Sequence, residues 1–269
     1  MKTHFPFRLV IQLPLTKNWE NGSFEPTLKL LSKYHFWGIE LHVVDPEQTD
    51  VYKLKKLLDI YEIKLAKLAT GQIASLNHLS LASNDDSIHE STILNLKKQI
   101  SFASFFGCPL ILGAAKGLPL PDKKAAELRT IQSLKQILPY AEALKTPLVI
   151  EATNHYESCT ANTLQSTAEL ISKVKKTPFL YLLPDTYHMN IEEVCLESAL
   201  VKYIDYYDSI HFSDSNRFYP GYGHIDFQRI CSLLSVLHFQ GYIGIEGNTH
   251  TSLEQDLEIT TSILSHITT

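Results

Sequence analysis

The chain has 269 residues, of which 44% are hydrophobic and 20% are charged, and its formal net charge is −5 at pH 7. These proportions are ordinary for a soluble globular protein, and the length does not require more than one domain. The acidic balance argues against a nucleic-acid partner, because proteins that bind one carry a basic face. No apolar run reaches the length of about 18 residues that a membrane span needs, so we expect no membrane partner.

Short apolar runs alternate along the chain with longer stretches of helical periodicity. Eight runs predict buried parallel strands, at residues 8–13, 38–43, 64–68, 109–113, 147–150, 179–183, 209–212 and 242–245. Six stretches with apolar residues three and four apart predict helices, at residues 25–34, 50–61, 90–106, 123–144, 163–174 and 227–237. Asn190, Glu192 and Glu193 indicate the start of a further helix after the sixth strand.

The order of these elements predicts an α/β fold. Successive βα units favour a closed (β/α)8 TIM barrel, and no linker marks a boundary, so we expect one domain over residues 1–269. An open, doubly wound parallel sheet is the alternative architecture. No G-x-G-x-x-G motif follows the first predicted strand, which weakens the dinucleotide-binding version of that alternative.

The cysteines and the N-terminus bear on location. Cys108, Cys159, Cys195 and Cys231 form neither a C-x-x-C pair nor a zinc-finger spacing, so we expect reduced, mostly buried thiols. The stretch MKTHFPFRLVIQLPL lacks a clear hydrophobic region and a small-residue cleavage site, and it does not indicate a signal peptide. Together these features predict a cytoplasmic protein.

Each of the last four predicted strands has, at or near its end, one residue that can bind a metal. The strings LVIEATN, LLPDTYH, SIHFSDS and GIEGN contain Glu151, Asp185, His211 and Glu246. In a barrel these positions meet at the C-terminal rim, where active sites lie. Buried carboxylates are costly unless something compensates them, and one shared cation would do so. The sequence therefore predicts a metal site at the rim.

Three carboxylates and one imidazole suit Mn²⁺, Mg²⁺ or Co²⁺ better than an ion that prefers thiolates. Zinc stays open as an alternative, and so does the interpretation that these are ordinary rim residues paired with Lys or Arg. Glu40, in the string GIELH, also ends a predicted strand. We expect it to face the site from the rim, with direct coordination less favoured.

The same residues lie inside longer strings that resemble the sugar phosphate isomerase/epimerase family with the xylose isomerase-like barrel. These strings are IEATNHYE (150–157), LPDTYHMNIEE (183–193), IHFSDSNRFYPGYGHIDF (210–227) and IGIEGN (243–248). Weaker matches in the first half extend the resemblance over nearly the whole chain. Within the family, the chain looks most like the ketose 3-epimerases, which include the D-tagatose and D-psicose 3-epimerases.

The resemblance implies roles for particular residues. It places one divalent ion, with Mn²⁺ expected and Mg²⁺, Co²⁺ or Zn²⁺ as alternatives, on the four predicted ligands. It implies that Glu157, His188 and Arg217 contact the substrate. Two positions depart from the family pattern, because His155 and Lys116 stand where relatives often carry arginine. We expect Lys116 to contact substrate as well, and the lost guanidinium groups suggest a different substrate from that of better-known members.

The expected activity is that of a sugar isomerase or epimerase acting on a small ketose or ketose phosphate. Glu151 and Glu246 would act as acid and base through an enediolate, one removing a proton and the other returning one to the opposite face. By resemblance, we also expect a homodimer or a homotetramer.

Other functions stay open on the same scaffold. An aldose–ketose isomerase of the hydroxypyruvate type would use the same groups but move the proton between adjacent carbons. A dehydratase of a cyclic polyol is a further option. Two alternatives are more remote. One is an abasic-site endonuclease, a class that shares this barrel but has a trinuclear zinc site with additional histidines. The other is a non-catalytic sugar-binding barrel.

Overall fold

The computed structural model describes residues 5–265 and residue 267. Within this part of the chain, eight strands form one sheet: β1 (Arg8–Pro14), β2 (Gly38–His42), β3 (Lys64–Ala69), β4 (Leu110–Leu112), β5 (Leu148–Glu151), β6 (Leu180–Leu183), β7 (Ser209–Phe212) and β8 (Tyr242–Ile245). They lie in the order β6–β5–β4–β3–β2–β1–β8–β7, and every paired strand runs parallel to its neighbour. The eight predicted strands and the barrel architecture are confirmed.

Helices surround the sheet: α1 (Glu25–Lys33), α2 (Val51–Ile60), α3 (Gly71–Leu76), α4 (Asp86–Phe106), α5 (Lys123–Ala143), α6 (Leu164–Val174), α7 (Thr186–Glu192), α8 (Leu196–Lys202), α9 (Phe227–Val236) and α10 (Leu253–Ser265). Six of them match predicted stretches. Leu28, Leu54, Leu96, Leu134 and Leu234, from five of these six helices, are completely buried. Each contributes about 1.5–3 kcal/mol by burial, so the predicted apolar faces are the ones that pack on the sheet.

The helix after β6 begins earlier than the sequence predicts. The Asp185 carboxylate accepts hydrogen bonds from the backbone N–H groups of Tyr187 and His188 and thereby caps the first turn of α7. Glu192 is the last residue of this helix and Glu193 follows it. The prediction that Asn190, Glu192 and Glu193 start the helix is therefore wrong, because the cap lies directly after the strand.

The barrel closes between β6 and β7 through a single bridge. Asp185 and His211 form this isolated parallel bridge, and the His211 N–H donates to the Pro184 carbonyl at 2.9 Å. All other neighbouring strands pair over at least two residues. We call the contact between β6 and β7 the closing seam. It is built from two of the predicted metal ligands.

Two further expectations concern thiols and membranes. All four cysteines are free, and three of them are buried, whereas Cys195 is partly exposed. This agrees with the expectation of unpaired, mostly buried thiols. Among the described residues, no helix is both long enough and apolar enough to cross a membrane.

Candidate active site

The four predicted ligands converge at the C-terminal end of the barrel. Glu151 is the last residue of β5, His211 lies in β7, and Asp185 and Glu246 lie just after β6 and β8. One donor atom from each residue lies within 4.8 Å of the other three. Asp185 and His211 are completely buried and Glu151 is 6% exposed. No other group of this kind converges within residues 5–265 and 267.

Several donor atoms of this cluster are buried without a hydrogen-bond partner. They are Glu151 Oε1, His211 Nδ1 and Glu246 Oε2. His211 Nδ1 lies 2.5 Å from Glu246 Oε2 and 3.7 Å from Glu151 Oε1 without hydrogen-bond geometry to either. Buried polar atoms nearly always have a hydrogen-bond partner. Three such atoms that converge without one therefore indicate a shared partner of another kind. The residues present therefore fit a divalent cation.

The pKa shifts of the three carboxylates in the cluster also fit a divalent cation. Burial, with the neighbouring Glu246 carboxylate, raises the pKa of Glu151 to about 7. Burial also raises the pKa of Asp185, although Arg217 opposes this shift. At Glu246 the effect of burial is outweighed by Arg217 and His211, so its pKa is lowered. A divalent cation would favour the ionised form of all three carboxylates and remove the cost of bringing them together.

Arg217 orients two of the carboxylates from the loop after β7. Its guanidinium donates to Asp185 Oδ2 at 3.1 Å and to Glu246 Oε1 at 2.8 Å, and it lies 4.9 Å from the centre of the Tyr187 ring. The backbone of Arg217 has a φ of 64°, which for a non-glycine residue costs about 1–2 kcal/mol. The two charge-assisted bonds offset this strain and fix the guanidinium beside the cluster.

Two glycines leave the space that the ligands occupy. A Cβ atom on Gly113 would lie 2.1 Å from Glu151 Oε2, and one on Gly244 would lie 2.8 Å from His211 Cδ2. Both distances are shorter than a van der Waals contact. Any larger residue at either position would displace a ligand side chain from its present place.

A cavity of about 330 Å³ opens onto the cluster. Glu151 and Glu246 line it, together with three of the predicted substrate-binding residues, Glu157, His188 and Arg217. This volume is within the range of small-molecule sites. The structure therefore brings the two predicted catalytic glutamates and most of the predicted substrate contacts to one cavity.

His188 presents a neutral donor at the wall of this cavity. Its Nδ1 accepts a hydrogen bond from the backbone N–H of Asn154 at 3.2 Å, so the proton of the neutral ring lies on Nε2. Nε2 is buried without a partner and lies 3.8 Å from Glu151 Oε1. Burial lowers the pKa of His188 to about 3, which keeps the ring uncharged. Such an N–H group can donate to an oxygen atom of a ligand in the cavity.

The open side of the cavity carries the N-x-x-E string. The Glu157 side chain is 48% exposed, and its Oε1 accepts a hydrogen bond from Asn154 Nδ2 at 3.2 Å. His155, one of the two departures from the family pattern, is exposed and pairs with the Glu192 carboxylate. His155 does not line the cavity.

Lys116 takes a place different from the expected substrate contact. It is completely buried, and its ammonium donates to the backbone carbonyls of Glu151 at 2.7 Å, Thr160 at 3.1 Å and Ala161 at 3.0 Å. These three bonds use all the protons of the ammonium group, and Lys116 does not line the cavity. Its observed role is to fix the backbone at the end of β5.

Sequence analysis assigned no role to several polar residues of the site. The wall formed by β1, β2 and the segment after β3 carries Gln12, His42, Thr70 and Gln72. Polar residues at or just after strand ends were the available signal. Glu40, expected at the rim, is instead completely buried within the barrel, with its Oε2 2.8 Å from His211 Nε2.

Comparison with known proteins gives several sugar epimerases among the relatives. An L-ribulose 3-epimerase of Methylomonas sp. (strain DH-1) is 27% identical over 213 residues, which cover 77% of this chain and 72% of that protein. An L-ribulose 3-epimerase of Mesorhizobium japonicum is 26% identical over 251 residues, covering 90% of this chain and 81% of that protein.

Solved structures share the fold. A 3-keto-D-glucoside 4-epimerase from E. coli superposes with a TM-score of 0.82 at 18% identity, covering 96% of this chain and 98% of that one. Residues 28–264 of this chain match the family described as the xylose isomerase-like TIM barrel. The match extends over all four converging ligands. The protein therefore belongs to the xylose isomerase-like TIM barrel family.

Proposed function

We propose that this protein is a divalent-metal-dependent epimerase that inverts one carbon of a small ketose or ketose phosphate. The observation that carries the proposal is the convergence of Glu151 and Glu246, which line one cavity, with Asp185 and His211. Relatives that are ketose 3-epimerases support the substrate class. Mn²⁺ is the ion we propose, because the donor set consists of three carboxylates and one imidazole.

The two glutamates are the acid and base. When bound to the cluster, a divalent cation would supply Lewis acidity that makes the carbon next to the ketose carbonyl easier to deprotonate. One glutamate removes that proton to give an enediolate, and the other returns a proton to the opposite face. Glu151 ends β5 and Glu246 follows β8, so the carboxylates approach the cavity from separate strands. No redox cofactor is needed for this inversion.

The neighbouring residues hold the substrate and the developing charge. The His188 Nε2–H group donates to a substrate oxygen that becomes negative as the proton leaves. Arg217 keeps the Glu246 carboxylate in place through its bond at 2.8 Å. Glu157, on the open side of the cavity, accepts hydrogen bonds from hydroxyl groups at the end of the sugar. Lys116 supports the backbone of Glu151 and takes no part in proton transfer.

The endonuclease alternative receives less support from the site. A trinuclear zinc centre needs several ligands beyond four, and only one converging group of four is present in the described part of the chain. The net charge of −5 also disfavours a phosphate backbone as partner. We propose a cytoplasmic location, which the four free thiols support. The expected homodimer or homotetramer stays a prediction.

Product analysis in D₂O tests the proposal. Wild-type protein with Mn²⁺ should convert one member of a panel of ketoses and ketose phosphates into its epimer, with one deuterium at the inverted carbon. Glu246→Gln should lower turnover by about 100- to 10,000-fold, because it removes a positioned acid–base group, and should leave the circular dichroism spectrum unchanged. Glu254→Gln, a matched change at an exposed residue of α10, should keep full activity.

Two outcomes would contradict this assignment. An aldose product with deuterium on the neighbouring carbon would identify an aldose–ketose isomerase instead. Unchanged turnover in Glu246→Gln would show that this carboxylate does not move the proton.

A further inference from the structure

A network of polar side chains crosses the interior of the barrel below the metal cluster. Lys67 from β3 and Glu40 from β2 are completely buried, and Tyr242 at the start of β8 is 6% exposed. The interior of such barrels is ordinarily filled by branched apolar side chains. Each buried charge costs several kcal/mol unless it is well compensated. Packing alone therefore does not explain these residues.

The network begins near the base of the barrel. Lys67 Nζ donates to Asp208 Oδ1 at 3.0 Å, Ser209 Oγ at 2.6 Å and Tyr242 OH at 2.9 Å. An ammonium group can only donate, so the Tyr242 oxygen accepts from Lys67 and directs its own proton elsewhere. That proton goes to Glu40 Oε1, which lies 2.6 Å away.

The network ends on a metal ligand. Glu40 Oε2 accepts from Gln12 Nε2 at 3.2 Å and lies 2.8 Å from His211 Nε2. With both oxygens occupied by donors, the Glu40 carboxylate is a fixed acceptor, and His211 Nε2 must carry the proton toward it. The other ring nitrogen, Nδ1, is the one that faces the Glu151 and Glu246 carboxylates.

Gly244 provides an independent observation that the side chains of His211 and Glu40 pack closely against β8. A Cβ atom on Gly244 would lie 2.8 Å from His211 Cδ2 and 3.7 Å from Glu40 Oε1. Glycine in β8 thus allows the imidazole and the carboxylate to lie against the strand. The Glu40 carboxylate and the β8 backbone together define the position of the His211 ring.

We propose that Glu40, held by Tyr242 and Lys67, is a positioning residue for the metal centre. It fixes the orientation and tautomer of His211, so that Nδ1 is free to bind the cation. Carboxylate partners of this kind orient histidine ligands and raise their basicity. The proposal rests on the proposed function only in requiring a divalent cation at the cluster.

Mn²⁺ affinity of the full-length protein tests the proposal, measured by the loss of the free-ion electron paramagnetic resonance signal. Glu40→Gln should raise the Kd for Mn²⁺ by about 10- to 100-fold, the usual effect of removing the partner of a histidine ligand. Tyr242→Phe, which removes only the hydroxyl, should raise it less. Tyr207→Phe is the matched control, because the Tyr207 hydroxyl donates to the Leu200 carbonyl outside the network, and its Kd should equal that of wild type.

A second measurement separates positioning from general stability. In Mg²⁺-loaded protein, the ¹⁵N shifts of His211, assigned by comparison with His211→Asn, should show a proton on Nε2 in wild type and a changed pattern in Glu40→Gln. A residue with only a structural role would alter the free energy of unfolding and leave both the Kd and these shifts unchanged. If Glu40→Gln does not fold, Tyr242→Phe decides the question, because it keeps the ring beside Trp37.

The outcomes are distinguishable from those of the proposed function. Wild-type Mn²⁺ affinity and ¹⁵N shifts in a folded Glu40→Gln or, failing that, in Tyr242→Phe would overturn the positioning role alone. A wild-type protein that does not bind Mn²⁺ would overturn both proposals. A third outcome is that wild type binds Mn²⁺ normally and the variants bind it more weakly, but no ketose is converted into an epimer. That outcome would overturn the proposed activity and support the positioning role.

Discussion

The two halves of the barrel bring different chemistry to the same cavity. The half from β5 to β8 carries all four converging candidate ligands, three of them carboxylates. The half from β1 to β4 faces the cavity with the amide, imidazole and hydroxyl groups of Gln12, His42, Thr70 and Gln72. This difference suggests that proton transfer belongs to one half, whereas the other half contributes to substrate fit. Three substitutions test that division, from the largest expected effect to the smallest.

The largest effect is expected from Asp185→Asn on the ligand side. The change removes one charge from the cluster but keeps a side-chain oxygen that can cap α7. Changing a residue that hydrogen-bonds to a metal ligand lowers metal affinity by about 10- to 100-fold. Removing the charge of a ligand itself should therefore lower Mn²⁺ affinity by more than about 100-fold. Titration with Mn²⁺ should show this loss, with thermal stability in metal-free buffer nearly unchanged.

Asp226→Asn is the matched control for this substitution. Asp226 caps α9 by the same kind of bond, accepting from the Arg229 N–H at 2.9 Å, and it lies outside the cluster. Its variant should bind Mn²⁺ as wild type does. Equal Mn²⁺ affinity in both variants would show that Asp185 is only a helix cap.

Gly113→Ala should produce an intermediate effect. The new methyl group would meet the end of the Glu151 side chain at 2.1 Å, and that carboxylate can move aside more easily than backbone can. We therefore expect a loss of Mn²⁺ affinity of about 10- to 100-fold, as for other changes that misplace a ligand. Destabilisation should stay within the range of about 1–3 kcal/mol for overpacking, as denaturant titration would measure.

Gly71→Ala is the matched control, at a glycine in the same half of the barrel that does not contact a predicted ligand. Its methyl group would lie 3.0 Å from His42 Cε1, away from the ligand cluster, and Gly71 begins α3. The Gly71→Ala variant should bind Mn²⁺ with the affinity of wild type. A drop as large as that of Gly113→Ala would mean that the loss of affinity does not come from contact with Glu151.

The smallest effect is expected from Gln72→Ala, which removes a polar group from the cavity wall opposite the ligands. Losing one hydrogen bond costs about 0.5–1.5 kcal/mol, so KM for the active ketose should rise about 2- to 12-fold with kcat nearly constant. Gln165→Ala, at an exposed residue of α6, should change neither constant. A fall in kcat with constant KM would place Gln72 in the proton-transfer step and end the proposed division.

The sequence predicted the convergence of the four candidate ligands because its signal is local. Each of Glu151, Asp185, His211 and Glu246 lies within or just after its own apolar run, so strand periodicity and barrel geometry together bring the four residues to one rim. The same argument located the eight strands to within one residue at either end.

The interior network could not be predicted because its partners are distant in sequence. Lys67 meets Asp208, 141 residues further on, and Tyr242, 175 residues further on. A lysine in the string KLAKLA has no local feature that distinguishes a buried cation from a solvated one. Lys116 shows the same limit, because its three carbonyl partners are defined by the backbone path after β5.

The closing seam would connect the lifetime of the protein to any cation that binds the cluster. Opening the barrel between β6 and β7 separates Asp185 from His211, and so it would also dismantle the ligand set. An ion that binds only the closed form stabilises it by about 2.7 kcal/mol at a free concentration of 100 times its Kd. With such an ion bound, the seam would open less often and expose its strand edges to proteases less often, so an ion at the cluster would lengthen the lifetime of the protein.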